Sequence, residues 1–308
     1  MAAPVDVVVL NNLGGGQSVQ VDHLPRSGET VKGYGWRPNI DAGKGPNSCI
    51  AMGRLGIRPA FIGKAGRDPA GDRGEKWMQE AGVDTSGLLR TDEVMTGQGI
   101  RVIDKDGNNL IVCGESSSRA LTEEEVLREL RRLRAARFFS TGFEIREELT
   151  LAAAREAKAL GMTTVLNYSP LPPAPTGRLD YIDYLVVNEV EGSALAGVED
   201  WQSQSLPEFL ACIRDTCGCG CVIVTLGKAG SAGLCGGRFW RIPPVEVETI
   251  DTCGAGDAFL SAMIVNLVWG KDVEEACRWA GRYAAYTVTQ TGTIPAYPTL
   301  EQFQSWEG

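Results

Sequence analysis

Histidine is almost absent: His23 is the only one among 308 residues. A serine–histidine–aspartate triad or a cysteine–histidine pair would have to be built on that single residue. An HExxH zinc site and multi-histidine metal centres are excluded. No run approaches the roughly 18 apolar residues that a membrane-spanning helix needs. Met1–Asp6 has neither a basic start nor an apolar h-region, so no signal peptide is expected. An excess of positive charge is also missing. The net charge is −9 and the isoelectric point about 4.9, which disfavours binding to nucleic acid or to an anionic membrane surface. Chemistry in such a chain has to run on carboxylates, backbone amides, lysine or metal-bound phosphate.

What is present is ordinary globular material, 43% hydrophobic and 22% charged, enough to bury one large α/β core. Nine cysteines in a chain this long do not imply a disulfide scaffold, and we read them as reduced thiols of a cytoplasmic protein. Cys217-Gly-Cys219-Gly-Cys221 lacks a second cysteine pair or a histidine at finger spacing and leads into apolar Val222–Val224. Read as an extended segment, it would point three sulfurs to one face, too linear for a tetrahedral metal site.

Short apolar runs alternate with helical periodicity. Val5–Leu10, Phe61-Ile62, Phe138-Phe139, Thr164–Leu166, Tyr184–Val187 and Val222–Leu226 read as strands. Asn47–Leu55, Asp72–Ala81, the segment after the capping box Thr122-x-x-Glu125, Glu147–Leu160, Ala258–Trp269 and Val273–Val288 read as helices. This alternation predicts a mostly parallel central sheet covered on both faces, a three-layer α/β sandwich forming one domain over 1–308. Ligands in such sheets sit beyond the carboxyl ends of the strands. Two segments break the rhythm: about 11–40 is rich in glycine and polar residues, and 97–113 alternates around Asp106-Gly107. Both are expected to form antiparallel strand pairs, added to the main sheet as a small β lid.

The most informative stretch is Asp251-Thr-Cys-Gly-Ala-Gly-Asp257, followed by an apolar helix. Glycines let backbone N–H groups converge, and the helix adds the positive end of its dipole. The amides of Gly254, Ala255 and Gly256 then form an anion hole, and Asp257 can take a proton from an attacking hydroxyl. Phosphoryl transfer needs little beyond positioning, charge neutralisation and such a base. Two rival glycine motifs fail. Gly14-x-Gly16 meets Val19 where a dinucleotide fingerprint needs its third glycine, and no helix follows. Gly43-Lys44 lacks the following Ser or Thr of a Walker loop and has Pro38 at the upstream glycine position.

With these residues on the page, the sequence resembles the ribokinase-like, or phosphofructokinase-B, carbohydrate kinases over nearly its whole length. Asp251–Asp257 is similar to that family's C-terminal signature and Gly43-Lys-Gly-Pro-Asn47 to its N-terminal glycine motif, with Ala42 where a first glycine is common. Gly28-Glu-Thr-Val31 resembles the stretch entering the lid, Asn188-Glu-Val-Glu191 the Asn-x-x-Glu element, and Thr225–Gly230 the nucleotide loop. The resemblance implies an ATP-dependent kinase acting on a primary hydroxyl of a pentose or ketose. In it, Asp257 is the base, and Asn188 and Glu191 organise Mg²⁺ largely through water. Asn188, Thr225, Gly227, Gly230 and Gly281 would line ATP. Gly43, Lys44, Asn47, Glu144 and Asp257 would meet the acceptor. A potassium site would draw on Asp251, Cys253, Thr287, Gln290, Gly292 and Ala296, mostly through carbonyl oxygens. Lid strands leave an exposed edge, so a homodimer is expected.

The sequence also departs from that pattern in its first loop. Where ribokinases carry an Asn and an Asp in the first loop, this chain has Gly14 and Gly16; Gln17 or Asn12 could substitute in part. A nucleoside kinase of the same family, and a non-catalytic sugar or nucleotide sensor, stay open as alternatives.

Overall fold

The structure, a computed structural model, describes residues 4–38, 40–106 and 108–308, with the side chains of Asn109, Ile111 and Cys113 left out of the description. Gly107 of the expected Asp106-Gly107 turn lies outside the described residues.

The central sheet has nine strands. In chain order its parallel members are β1 (Val7–Leu10), β4 (Pro59–Gly66), β5 (Asp84–Thr91), β8 (Phe138–Gly142), β9 (Thr163–Asn167), β10 (Tyr184–Asn188) and β11 (Cys221–Thr225). An antiparallel hairpin, β12 (Ser231–Cys235) and β13 (Arg238–Ile242), closes one edge, and the spatial order is β13-β12-β11-β10-β9-β8-β1-β4-β5. Alternate residues of β1 show how the layers form. Val7 and Val9 enter one buried cluster, together with side chains of α1 (Lys44–Arg54), α2 (Pro69–Glu80), α7 (Ala255–Val268) and α8 (Val273–Val288). Val8 and Leu10 enter the other, with α3 (Glu123–Arg132), α4 (Glu147–Ala159) and α6 (Leu206–Cys217). This is the expected three-layer sandwich. The remaining helices are α5 (Glu189–Ala196) and α9 (Leu300–Gln304).

The second sheet differs from expectation in its attachment. β2 (Gly14–Val21), β3 (Gly33–Pro38), β6 (Gly97–Ile103) and β7 (Asn109–Cys113) form a separate four-stranded sheet in the order β3-β2-β6-β7. The two hairpins are antiparallel within themselves. They join each other through the parallel pair β2–β6 and do not extend the main sheet. Strands this rich in glycine carry too little apolar surface on both faces to sit between layers of helices, so they pair among themselves.

Other boundaries moved for local reasons. α2 begins at Pro69, because Asp68 caps it by accepting from the amides of Ala70 and Gly71. α7 begins at Ala255 after Gly254 in a left-handed conformation. The cysteine run is not one extended face: Cys217 ends α6, Gly218 turns the chain with φ 75°, and only Cys221 lies in β11. Among the described residues, no group of histidine, cysteine or carboxylate side chains could hold a metal ion by itself, and no helix is long and apolar enough to cross a membrane.

Candidate active site

The chain order of the main sheet reverses at β1, which lies between β4 and β8. The loops beyond β1 and β8 therefore part and leave a crevice. Into it come the N-termini of α1 and α7. α7 is apolar on all sides and buried from Asp257 to Val268, so its first turn is rigidly placed.

Asp257, in that first turn, is 5% exposed. Burial pushes its carboxyl up to about 6 against the pull of Lys44 and a hydrogen bond from Asn47. Asn47 Nδ2 donates to Asp257 Oδ2 at 3.3 Å and to Asp41 Oδ1 at 3.1 Å, while its Oδ1 accepts from the amide of Ala42. Both amide hydrogens of Asn47 are thereby used, leaving a lone pair on Oδ1 for a ligand. Lys44 is held charged chiefly by Asp257, with Glu144, Glu191 and Asp41 adding to the effect. Glu144 Oε2 accepts from the amide of Lys44 at 3.0 Å, at the positive end of α1. Burial still carries the Glu144 carboxyl up to about 7. Lys44, Asn47, Glu144 and Asp257 thus stand together in one cluster. Gly43, with φ 90°, sits against the backbone of Asn12 and Gly14.

Asp41 went unmarked in the sequence. Its Oδ1 accepts from the Gly43 amide at 2.8 Å and its Oδ2 from Thr293 Oγ1 at 3.1 Å. An Asp two residues ahead of a glycine is a local turn signature; nothing in it announces a bond to Thr293.

The amides ahead of α7 are not all alike. That of Ala255 donates to Thr252 O at 3.3 Å, while those of Gly254 and Gly256 have no partner among the described residues. These last two are the free donors of the turn. Asp251 ties it down: its oxygens accept from the amides of Cys253 (2.9 Å) and Gly292 (3.0 Å). Burial would raise this carboxyl, but the two amides, joined by the Cys253 thiol and the Arg101 charge, outweigh it and hold it below the usual range. Of the expected potassium residues, Asp251, Cys253 and Gly292 meet through these bonds. Ala296 is joined to Thr293 by its amide, and Thr287 and Gln290 bond only to near neighbours in sequence.

On the other side of the turn lies a cleft of about 930 Å³, lined by Asn188, Thr225, Gly227, Gly230, Gly281, Ala255 and Gly256 among others, with Val245, Val247 and Val288 as apolar wall. A side chain at Gly281 would enter open space. Asn188 and Glu191 cap α5 reciprocally, Glu191 Oε2 accepting from the Asn188 amide and Asn188 Oδ1 from that of Glu191. Burial raises the Glu191 carboxyl, while the Asn188 amide, Ser169 and Lys44 oppose it. With one oxygen engaged, Glu191 fits a magnesium ion held through water and phosphate oxygens better than one bound directly.

The first loop gives a clear outcome. Gln17 bonds Trp36 on the exposed side of the lid sheet and does not face the pocket. Asn12 accepts a hydrogen bond from Ser116 Oγ. No carboxylate stands where Gly14 and Gly16 lie.

A buried carboxylate, free amides at a buried helix N-terminus and a nucleotide-sized cleft fit a phosphotransferase with an alcohol acceptor. The chain belongs to the pfkB family of carbohydrate kinases, whose family model matches residues 36–300. It is 30% identical to the ribokinase of Staphylococcus aureus over 301 residues, covering 96% of this chain and 97% of that one. It is 26% identical to the deoxyribokinase of Salmonella typhi, with 92% and 93% covered. The solved structure of Arabidopsis thaliana ribokinase complexed with ribose and ATP superposes with a TM-score of 0.88 at 26% identity, covering 98% of both chains.

Proposed function

We propose that the protein uses ATP to phosphorylate a primary hydroxyl of a monosaccharide, a pentose or a ketose. The observation that carries this reading is Asp257, buried and adjoining the free amides of Gly254 and Gly256, with Lys44 charged by its proximity. The acceptor lies among Lys44, Asn47 and Glu144, and ATP lies in the cleft from Thr225 to Gly281. Asp257 takes the hydroxyl proton as that oxygen bonds to the γ-phosphorus. The bond to the β-phosphate oxygen breaks, and ADP carries the electron pair away. The amides and Lys44 meet the charge on the moving group. Asn188 and Glu191 would hold magnesium through water, and the ion would neutralise phosphate charge. Potassium, if used, would bind to carbonyl oxygens of the loop, since both Asp251 oxygens accept amides.

The relatives' names, ribokinase and deoxyribokinase, support a pentose. The bare first loop favours a second reading within the same chemistry: Gly14 and Gly16 leave room for the base of a nucleoside. ADP release across pentoses, ketohexoses, sugar acids and nucleosides separates these readings. Absence of acceptor-dependent ADP formation with every member would leave a sensor instead. Replacing Asp257 by Asn should lower kcat by about 100-fold or more; turnover kept within a few fold would remove the base assignment. A homodimer formed through the lid accords with its uncovered apolar side chains, and a cytoplasmic setting with the eight cysteines that are unpaired among the described side chains.

A further inference from the structure

Several features outside the residues already assigned could carry further chemistry. Cys221 and Cys235 face each other across β11 and β12. Lys64 is buried in an ion pair with Glu125. The lid sheet, finally, turns one face towards the pocket. The last of these goes furthest.

We propose that Arg101 is a catalytic residue supplied by the lid, its guanidinium closing on the phosphoryl group held at the N-terminus of α7. This rests on the kinase reading of that site. Arg101 lies on β6, level with Ser18 on β2. The two preceding rungs on the same face are Gly16 with Gly99 and Gly14 with Gly97. Over three rungs of this strand pair, therefore, the only side chains on that face belong to Ser18 and Arg101. Bare rungs leave the guanidinium free to extend from the lid across to the turn ahead of α7.

It does reach that turn. Arg101 Nη1 donates to Cys253 Sγ at 3.0 Å, its one hydrogen bond among the described residues. Cys253 is joined directly to Gly254, the first of the free donors. A thiol is a weak acceptor. A guanidinium has five donors, and four of these have no hydrogen-bond partner among the described residues. Asp251 and Asp41 attract its charge but do not hydrogen-bond it. Both oxygens of Asp251 already accept amide hydrogens, and both oxygens of Asp41 are engaged with Gly43, Asn47 and Thr293. A half-buried, charged fork beside an anion hole, hydrogen-bonded among the described residues only to a thiol sulfur, is matched by oxygens arriving with a ligand. Its planar geometry suits two phosphoryl oxygens at once. The transferring group carries such oxygens, and it is the anion that α7 is placed to hold. An acidic group on the acceptor has the same chemistry, and the kinetics distinguish the two sources.

The test is steady-state kinetics of the full-length Arg101→Ala and Arg101→Lys variants with MgATP and the best neutral acceptor from the panel. Loss of a donor that acts on the transferring group should lower kcat of Arg101→Ala by about 100-fold or more. The acceptor KM should stay within about threefold, and Arg101→Lys should fall between. Guanidinium chloride at tens of millimolar should restore about tenfold of the Arg101→Ala rate, where equal sodium chloride does not. The unfolding midpoint should not move, since the side chain has no strong protein partner. A kcat within threefold of the parent would overturn the proposal. So would a raised acceptor KM at unchanged kcat, which would make Arg101 a grip on the acceptor. A loss that neither guanidinium nor lysine relieves would overturn it too. Failure of the kinase reading shows separately, as a parent enzyme with no acceptor-dependent ADP release, and it would remove both.

Discussion

As the proposed base, Asp257 carries two opposing demands. A base for an alcohol has to be ionised, yet it has to sit where water is excluded. Burial lifts its carboxyl to about 6, and Lys44 with Asn47 keeps it from rising further. The sign of the pH dependence follows. Below about 6 the folded enzyme holds Asp257 protonated and unable to accept a proton. The kcat/KM for the acceptor should therefore be level above that pH and fall tenfold per unit beneath it. Glu144, carried to about 7 by burial, titrates close by. A Glu144→Gln variant that keeps the limb near 6 assigns it to Asp257, whereas loss of the limb would transfer the role of base to Glu144. The sequence showed Asp257, Lys44 and Asn47 through their motifs. It did not show Asp41, whose partner Thr293 is 252 positions away, nor Arg101, whose partner Cys253 is 152 away. Local pattern carries no information about pairs that only packing brings together.

Elements were legible where one physical cause dominated. α8 was bounded correctly because Asp272 accepts from the Glu275 amide at one end and apolar residues recur at helical spacing to the other. The start of α7 was less visible, because it depends on Gly254 with φ 78°. A Cβ there would lie 2.6 Å from Thr293 Cγ2 and 2.7 Å from Tyr297 Oη. Gly254→Ala should thus destabilise the fold by about 2–4 kcal/mol, from left-handed strain and overpacking together, and displace the free amides. Denaturant unfolding and kcat measured on the same preparation check this; an unchanged midpoint with full turnover would show the turn to be tolerant. The hairpin β12–β13 escaped the sequence reading because Ser231–Cys235 has no strict alternation. It is a strand because Ala232 and Leu234 pack beneath α6 while Trp240 fills the space over Gly233.

For the whole molecule, the two sheets divide the work. The nine-stranded sheet fixes the crevice, and the four-stranded sheet brings Arg101 over it. The side of the small sheet away from Arg101 carries Trp36 (61% exposed), Ile100 (42%) and Val112 (56%). Apolar side chains grouped in this way invite cover, and the proposed dimer supplies it. Sedimentation equilibrium should give the mass of two chains, and Trp36→Asp with Val112→Lys should give one. A single-chain mass for the parent would end the dimer proposal.

By itself the sequence determined the layered fold, the place of Asp257 at the head of a buried helix and the motifs on either side of it. Each of these is written in contiguous residues, through period, capping and turn chemistry. The tertiary structure decided which amides stay free, how high the carboxyls rise, that the lid is a sheet of its own, and that an arginine on it meets the turn ahead of α7. Those depend on burial and on distances between residues far apart in the chain, quantities that exist only after the layers have closed.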